Sequence, residues 1–229
     1  MTYAFAAAGT GGHVFPALAV ADALVAAGVE RDEIVFFGGD RMEAKTIPAA
    51  GYEFVSVELR GLKRSLSLEN LGIPAVVWKA RSRMAQEMRS RETKACIVFG
   101  GYVSVPAAMA ARKTGAKVFV QEQNAKPGLA NRLVARMAER VFVGFTAARS
   151  RLNKAEFTGN PLRLLFSDFD RKGLRAEARV RYGLPDDLPV LGVLGGSLGA
   201  KVLNETAEAL AMSMESDHMA IVHLTGRPH

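Results

Sequence analysis

Three glycine-rich segments stand where a short apolar run ends and a helical stretch begins. They are Gly9-Thr10-Gly11-Gly12-His13, Gly100-Gly101-Tyr102-Val103-Ser104 and Gly195-Gly196-Ser197-Leu198-Gly199. Glycine lets the backbone come close to a ligand, and the free amides and dipole at a helix start favour an anion. A diphosphate is the natural ligand for such an arrangement. One such loop is read equally well as a tight turn in which backbone packs on backbone. Three at the same kind of junction point to phosphate binding. None is a P-loop, because no Gly-x-x-x-x-Gly-Lys-Ser/Thr occurs. The first also departs from the dinucleotide fingerprint, with Val14 at its third glycine position. Asp40, near the end of the second apolar run, keeps an NAD-type reading in second place.

The elements that must hold these loops alternate along the chain. Tyr3–Ala8, Ile34–Phe37, Phe54–Leu59, Ala95–Phe99, Lys117–Val120 and Arg140–Val143 read as buried strands. Pro16–Ala27, Pro74–Arg91, Pro106–Lys113 and Leu129–Ala138 read as helices, with a shorter one ending near Gly51. Strands that are apolar on both faces and alternate with helices imply a parallel sheet covered on both sides. The charged stretch 168–187 reads as a linker or a helix between two units. Beyond it, a strand at Pro189–Leu194, a helix at Ala200–Ala211 and a strand at Ile221–Leu224 begin a second α/β unit.

The 229 residues are long for one domain and short for two, and the net charge is +7. A basic balance calls for an anionic partner: nucleic acid, anionic lipid or a phosphorylated substrate. The single cysteine, Cys96, excludes a disulfide framework and a Cys-rich zinc site, reads as a core thiol and points to a reducing compartment. Residues 1–21 carry no charge but lack a basic start and are broken by Gly9 to His13, so neither a signal peptide nor a membrane span is expected. The segment Leu71–Trp78 is apolar, with Arg60, Lys63 and Arg64 before it and Lys79, Arg81 and Arg83 after it. It reads in two ways: a patch for an anionic membrane surface, or a core helix with Ile73, Val77, Met84 and Met88 as its buried stripe. A combination of the two leaves Trp78 and the basic residues facing lipid. No nucleic-acid motif or aromatic interleaving accompanies the charges.

The residues around the loops resemble the MurG family of N-acetylglucosaminyltransferases. The resemblance is carried in order by Gly9-Thr10-Gly11-Gly12-His13-Val14-Phe15-Pro16, by Asp40-Arg41-Met42-Glu43-Ala44 and by Gly100-Gly101-Tyr102-Val103-Ser104. It continues through Glu122-Gln123-Asn124 with Pro127-Gly128-Leu129 and Asn131, Thr158-Gly159-Asn160-Pro161-Leu162-Arg163, and Gly195-Gly196-Ser197-Leu198-Gly199-Ala200 with Leu203-Asn204. It implies an α/β protein of GT-B type with two Rossmann-like domains. Residues 1–163 would form the acceptor- and membrane-side domain, 164–187 a linker, and 188–229 the start of an incomplete nucleotide-sugar domain. Gln121, Val105 and Leu198 depart from the commoner pattern.

The resemblance also implies a reaction and its partners. N-acetylglucosamine would pass, with inversion, from UDP-N-acetylglucosamine to the muramyl sugar of undecaprenyl-diphosphate-linked lipid I, giving lipid II. No metal and no cofactor are implied. The setting would be the anionic cytoplasmic face of the bacterial membrane, and these 229 residues alone would not turn over. Thr10, Gly11, Gly12, Asn124, Arg163 and Ser197 match donor-binding positions. Gly100, Gly101, Tyr102 and Ser104 lie where the acceptor diphosphate is expected, and Ile73, Val77, Trp78 and Lys79 where the membrane is. His13 is the candidate catalytic base or acceptor-orienting group, since imidazole exchanges a proton near neutral pH; a loop histidine bonded to backbone is the alternative. Glu122 would either assist or serve as a structural carboxylate.

Overall fold

In the computed structural model the described residues are 1–59, 73–166, 169–196, 199–214 and 218–226. They divide into two compact units, Met1–Asp168 and Phe169–His229.

The first unit is built on seven strands. These are β1 (Thr2–Ala6), β2 (Ile34–Gly38), β3 (Glu53–Ser56), β4 (Thr93–Val98), β5 (Lys117–Glu122), β6 (Arg140–Val143) and β7 (Ala155–Phe157). Every pairing is parallel and the spatial order is β3-β2-β1-β4-β5-β6-β7. The chain builds leftward from β1 and then restarts rightward at β4. The order therefore reverses between β1 and β4, where parallel sheets open a crevice beyond their carboxyl ends. Among the described residues six helices accompany this sheet: α1 (Gly11–Ala26), α2 (Glu43–Ala49), α3 (Ile73–Ser90), α4 (Ser104–Thr114), α5 (Leu129–Ala135) and α6 (Thr146–Arg149).

Strand alternation sorts the core into two layers. Phe5, Phe36 and Phe99 pack with Val14, Leu18 and Ile47 from α1 and α2. On the other face Ala4, Ala6 and Val98 meet Met84 and Met88 of α3, the alanines of α4 and Val134 of α5. Four buried alanines (Ala107, Ala108, Ala110 and Ala111) let α4 sit close to both α3 and the sheet. Removing aromatic volume from such a layer leaves a cavity, so the filled faces and not local propensity hold the strands in register.

Two expectations are corrected. The first helix starts at Gly11 and not at Pro16, so the proline lies inside it. The amides of a helix's first turn have no carbonyl four residues back to bond, so two glycines there sacrifice little. The stretch after β6 also holds a short helix and the edge strand β7, which the sequence pattern did not display. Three residues, one of them half-buried and two exposed, carry too little apolar alternation to read as a strand.

In the second unit, α7 (Arg175–Tyr182) occupies part of the charged stretch read as linker or helix. Its Arg179 is almost fully buried and donates from Nη2 to Leu188 O at 3.0 Å. A parallel pair, β8 (Val190–Leu194) and β9 (Ala220–Leu224), follows with α8 (Lys201–Ser213) between them. Asn204 of α8 donates to Thr225 O at 2.9 Å and faces His223 Nε2 at 2.9 Å.

The helix α3 resolves part of its double reading. Ala80, Met84 and Met88, spaced by four, are its buried stripe, with Ala85 beside them. Val77 is half-buried. Trp78 is 63% exposed, and the exposed Lys79 pairs with Glu58 at 3.4 Å. Ile73 opens the helix, but its side chain lies outside the described residues, as do Arg60, Lys63, Arg64, Leu71 and Gly72. Among the described residues no helix is long and apolar enough to cross a membrane.

Candidate functional site

The first glycine loop leaves β1 and the second leaves β4. Because those strands are neighbours, the two loops lie side by side at the reversal of strand order. Thr10 is extended and exposed, and Gly11, Gly12 and His13 form the first turn of α1. His13 Nδ1 lies 3.0 Å from Ala8 O and 3.3 Å from Thr10 Oγ1. A carbonyl only accepts, so the contact places a proton on Nδ1, and in the neutral ring the lone pair is then on Nε2.

That Nε2 faces the second loop. Gly100 and Gly101 have φ of +105° and +78°, a region that side chains avoid. A Cβ on Gly100 would lie 2.8 Å from His13 Nε2, and one on Gly101 would lie 2.8 Å from Ala8 O. The glycines are thus what allows the second loop to close on the imidazole. Ser104 is fully buried and its Oγ accepts the Gly100 amide at 3.1 Å, so its hydroxyl shapes the loop from beneath.

Two buried carboxylates tie the strand ends together. Glu43, with no exposed surface, accepts from Gly9 N at 3.2 Å, Gly39 N at 3.1 Å and the Tyr102 hydroxyl at 3.2 Å. It joins the ends of β1, β2 and β4. Glu122, also buried, accepts from Asn124 N and Nδ2, both at 2.9 Å, and from Gly128 N and Asn131 Nδ2, both at 3.0 Å. All four contacts are internal, which makes Glu122 the organiser of the Asn124 loop. Asn124 is exposed at the end of β5, beside the second loop. Glu43 was not singled out in the sequence; its only signal was its place in the segment after the second strand.

Changing Glu43 to Gln keeps the shape but turns one acceptor oxygen into an NH2 that confronts an N–H or O–H donor. The expected cost is about 1–3 kcal/mol in urea unfolding; a loss under a few tenths would show that the carboxylate is not holding the loops. Burial, and then Glu43, push the Tyr102 phenol from its ordinary 10 up to about 12. Burial alone pushes the Cys96 thiol up to about 12. In both, the folded chain resists ionisation that the unfolded chain undergoes. Their stabilisation is therefore complete below the unfolded values and is lost as pH rises through about 12. Urea midpoints are expected to fall from about pH 9 upward, and Tyr102→Phe should make the decline shallower above about pH 10. An unchanged slope would contradict the assignment.

The segment after β7 returns across the strand ends. Asn160 Nδ2 donates to Gln123 O at 3.3 Å, and its side chain packs over Gly144. The turn Leu164–Phe166 then lies against α1. Arg163 stands between these two contacts and is exposed. The structure therefore brings Thr10, Gly11, Gly12, His13, Gly100, Gly101, Tyr102 and Asn124 to adjacent strand ends and carries the Arg163 segment back toward them. Ser197 lies outside the described residues. Among the described residues no three His, Cys, Asp or Glu side chains converge as metal ligands would.

Known proteins resemble this chain in sequence and in fold. A relative from Caldicellulosiruptor saccharolyticus, named UDP-N-acetylglucosamine--N-acetylmuramyl-(pentapeptide) pyrophosphoryl-undecaprenol N-acetylglucosamine transferase, is 38% identical over 216 residues, which are 92% of this chain and 56% of the relative. One of the same name from Nocardioides is 40% identical over 230 residues, 99% of this chain and 62% of the relative. The chain thus spans about three-fifths of the length of the curated relatives it matches. The crystal structure of Acinetobacter baumannii MurG superposes with a TM-score of 0.70 at 26% identity, covering 100% of this chain and 69% of that one. A UDP-GlcNAc 2-epimerase from Neisseria meningitidis, 13% identical, has a TM-score of 0.63 over 97% of this chain and 65% of its own, and shares the fold alone. The α/β architecture is thus that of the GT-B glycosyltransferases. The profile of the Glycosyltransferase family 28 N-terminal domain matches residues 3–143, the span that holds both glycine loops, His13 and Asn124, and the chain belongs to that family.

Proposed function

We propose that this chain is the acceptor-side part of an inverting transferase that moves N-acetylglucosamine from UDP-N-acetylglucosamine to the muramyl sugar of undecaprenyl-diphosphate-linked lipid I. The observation that carries this reading is His13, its Nδ1 held on the Ala8 carbonyl and its Nε2 set against Gly100, where the two glycine loops lie side by side at the reversal of strand order. In the reaction, the acceptor 4-hydroxyl gives its proton to Nε2 as its oxygen attacks the anomeric carbon. The bond from that carbon to UDP breaks on the opposite face, and the electron pair leaves with the diphosphate. A general base so placed contributes about 100- to 10,000-fold.

The binding roles follow from chemistry at each position. The first-turn amides of Gly11 and Gly12, with Thr10 beside them, favour a diphosphate. Gly9 is not in that set, because its amide already serves Glu43. Asn124 and Arg163 supply polar contacts to the donor, Arg163 with the planar fork that suits phosphate. Ser197 of the third loop is assigned to the donor by the family resemblance alone. Gly100, Gly101 and Tyr102 border the acceptor diphosphate, and Ser104 acts through the Gly100 amide. Residues 1–163 act as the acceptor- and membrane-side domain, and 188–229 begin the nucleotide-sugar domain.

Membrane contact at the cytoplasmic face rests on α3, with Trp78 exposed, Val77 and Lys79 on either side of it in the chain and Ile73 opening the helix. Trp78→Ala is expected to change stability by less than about 0.5 kcal/mol, because the ring is mostly in water. It should weaken sedimentation with phosphatidylglycerol vesicles about 3- to 10-fold. Equal binding would remove α3 from the membrane surface.

The activity is tested by transfer of labelled sugar to a water-soluble lipid I analogue, using the product of the whole gene. UDP-N-acetylglucosamine should outcompete UDP-glucose and UDP-galactose as donor. Preference for another nucleotide sugar would move the protein to a different lipid-directed GT-B transferase, and absence of transfer with any donor would overturn the catalytic reading. The 229-residue chain alone is expected to show no turnover.

A further inference from the structure

Beyond Asn124 in the same loop, Lys126 is brought with Arg132 and Arg151 to one concavity. Lys126, Arg132 and Arg151, with Pro127, line a pocket of about 360 Å³. They come from the loop after β5, from α5 and from the turn after α6. No carboxylate lines the pocket, and among the described residues none of the three cations is in an ion pair or a side-chain hydrogen bond. A larger cavity of about 790 Å³ near the starts of β6 and β7 shows the contrast. There Arg140, Arg149 and Lys154 are accompanied by Glu139 and Glu156, and Arg140 pairs with Glu156 at 3.2 Å. That cavity supplies its own counter-charge and the smaller one does not.

The backbone beneath the cations is anchored. Glu122 clamps the loop carrying Lys126 at both ends, through the amides of Asn124 and Gly128. Pro127 is buried, and Leu152, next to Arg151, is 8% exposed. The three like charges therefore converge on backbone held by other interactions, and an anion seated between them relieves their repulsion. The volume falls in the range of small-ligand sites, about 300–1,000 Å³. Two guanidinium forks and an ammonium match phosphate oxygens, and no aromatic ring lines the pocket to stack a base.

We propose that the Lys126–Arg132–Arg151 pocket binds a phosphate-bearing anion, a monophosphate or diphosphate group, at a site separate from the glycine loops. The helices α3, α4 and α5 pack in sequence on one face of the sheet, so this pocket shares a side with exposed Trp78. The phosphate group then belongs either to a soluble metabolite or to a lipid headgroup at the same surface.

The test uses the 229-residue chain, its Arg132→Gln/Arg151→Gln variant, and a control variant, Arg112→Gln/Lys113→Gln. The control removes the same charge from exposed positions at the end of α4. The probes are inorganic pyrophosphate, followed through the arginine Nε–H NMR signals, and vesicles of phosphatidylcholine with and without phosphatidylglycerol. Pyrophosphate or phosphatidylglycerol is expected to bind at least about tenfold more weakly to the pocket variant than to the control variant. An effect with pyrophosphate alone assigns a soluble ligand, and one with phosphatidylglycerol alone assigns a headgroup. Equal weakening in both variants, no weakening in either, or no binding of either probe to the unaltered chain overturns the proposal. Matching thermal unfolding of the two variants checks that both are folded.

Discussion

Glu122→Ala is expected to destabilise the first unit by about 3–5 kcal/mol. The reason is the number of donors one carboxylate serves. Oε1 accepts two N–H groups of Asn124, and Oε2 accepts the Gly128 amide and the Asn131 side chain. Asn124 and Gly128 are exposed and can turn to water, so they recover part of their loss. Asn131 is 2% exposed and cannot, and an unpaired buried donor costs the most. Glu122→Gln should cost less, about 1–3 kcal/mol, because one oxygen still accepts while the NH2 meets donors. Urea unfolding at neutral pH measures both. If the alanine variant lies within about 1 kcal/mol of the parent, the loop closes by other means and the position of Asn124 needs another explanation.

The second large effect concerns His13. Alanine there should lower turnover of the proposed transfer by about 100- to 10,000-fold, with little change in folding stability. Asparagine separates the two jobs of the ring. Its side-chain amide reaches where Nδ1 sits and can donate to Ala8 O, which preserves the first-turn geometry. It supplies nothing at the place of Nε2, which faces Gly100. Binding of substrates should therefore survive in His13→Asn while turnover falls nearly as far as in His13→Ala. Retention of more than about a tenth of parental turnover would show that Nε2 is not the base.

Much of the scaffold was legible in the chain itself. Buried parallel strands are nearly continuous apolar runs, so β1, β2, β4, β5 and β6 announce themselves by local composition. Glycine pairs at their ends mark loops because no other residue adopts the backbone found at Gly100 and Gly101 without strain. Local signals were weaker where an element is short or where partners come from afar. β7 has three residues and one half-buried side chain. α1 runs back through two glycines to Gly11, since the first turn of a helix lacks the bonds that would make glycine costly. In the described part of α3, Trp78 lies outside and Ala80, Met84 and Met88 inside, a choice made by what the helix packs against.

By itself the sequence determined that glycine-rich loops would stand at three strand-to-helix junctions, because glycine content and apolar runs are local properties. Only the tertiary structure decided how those loops meet. The strand order puts β1 beside β4 although about ninety residues separate them, and that adjacency sets His13 against Gly100. It also decided the tautomer of His13, through the Ala8 carbonyl, and turned two acidic residues into buried ties between strand ends. The physical reason is the same in each case. A hydrogen bond or an unpaired charge is defined by its neighbours in space, and those neighbours are chosen by burying the two faces of the sheet.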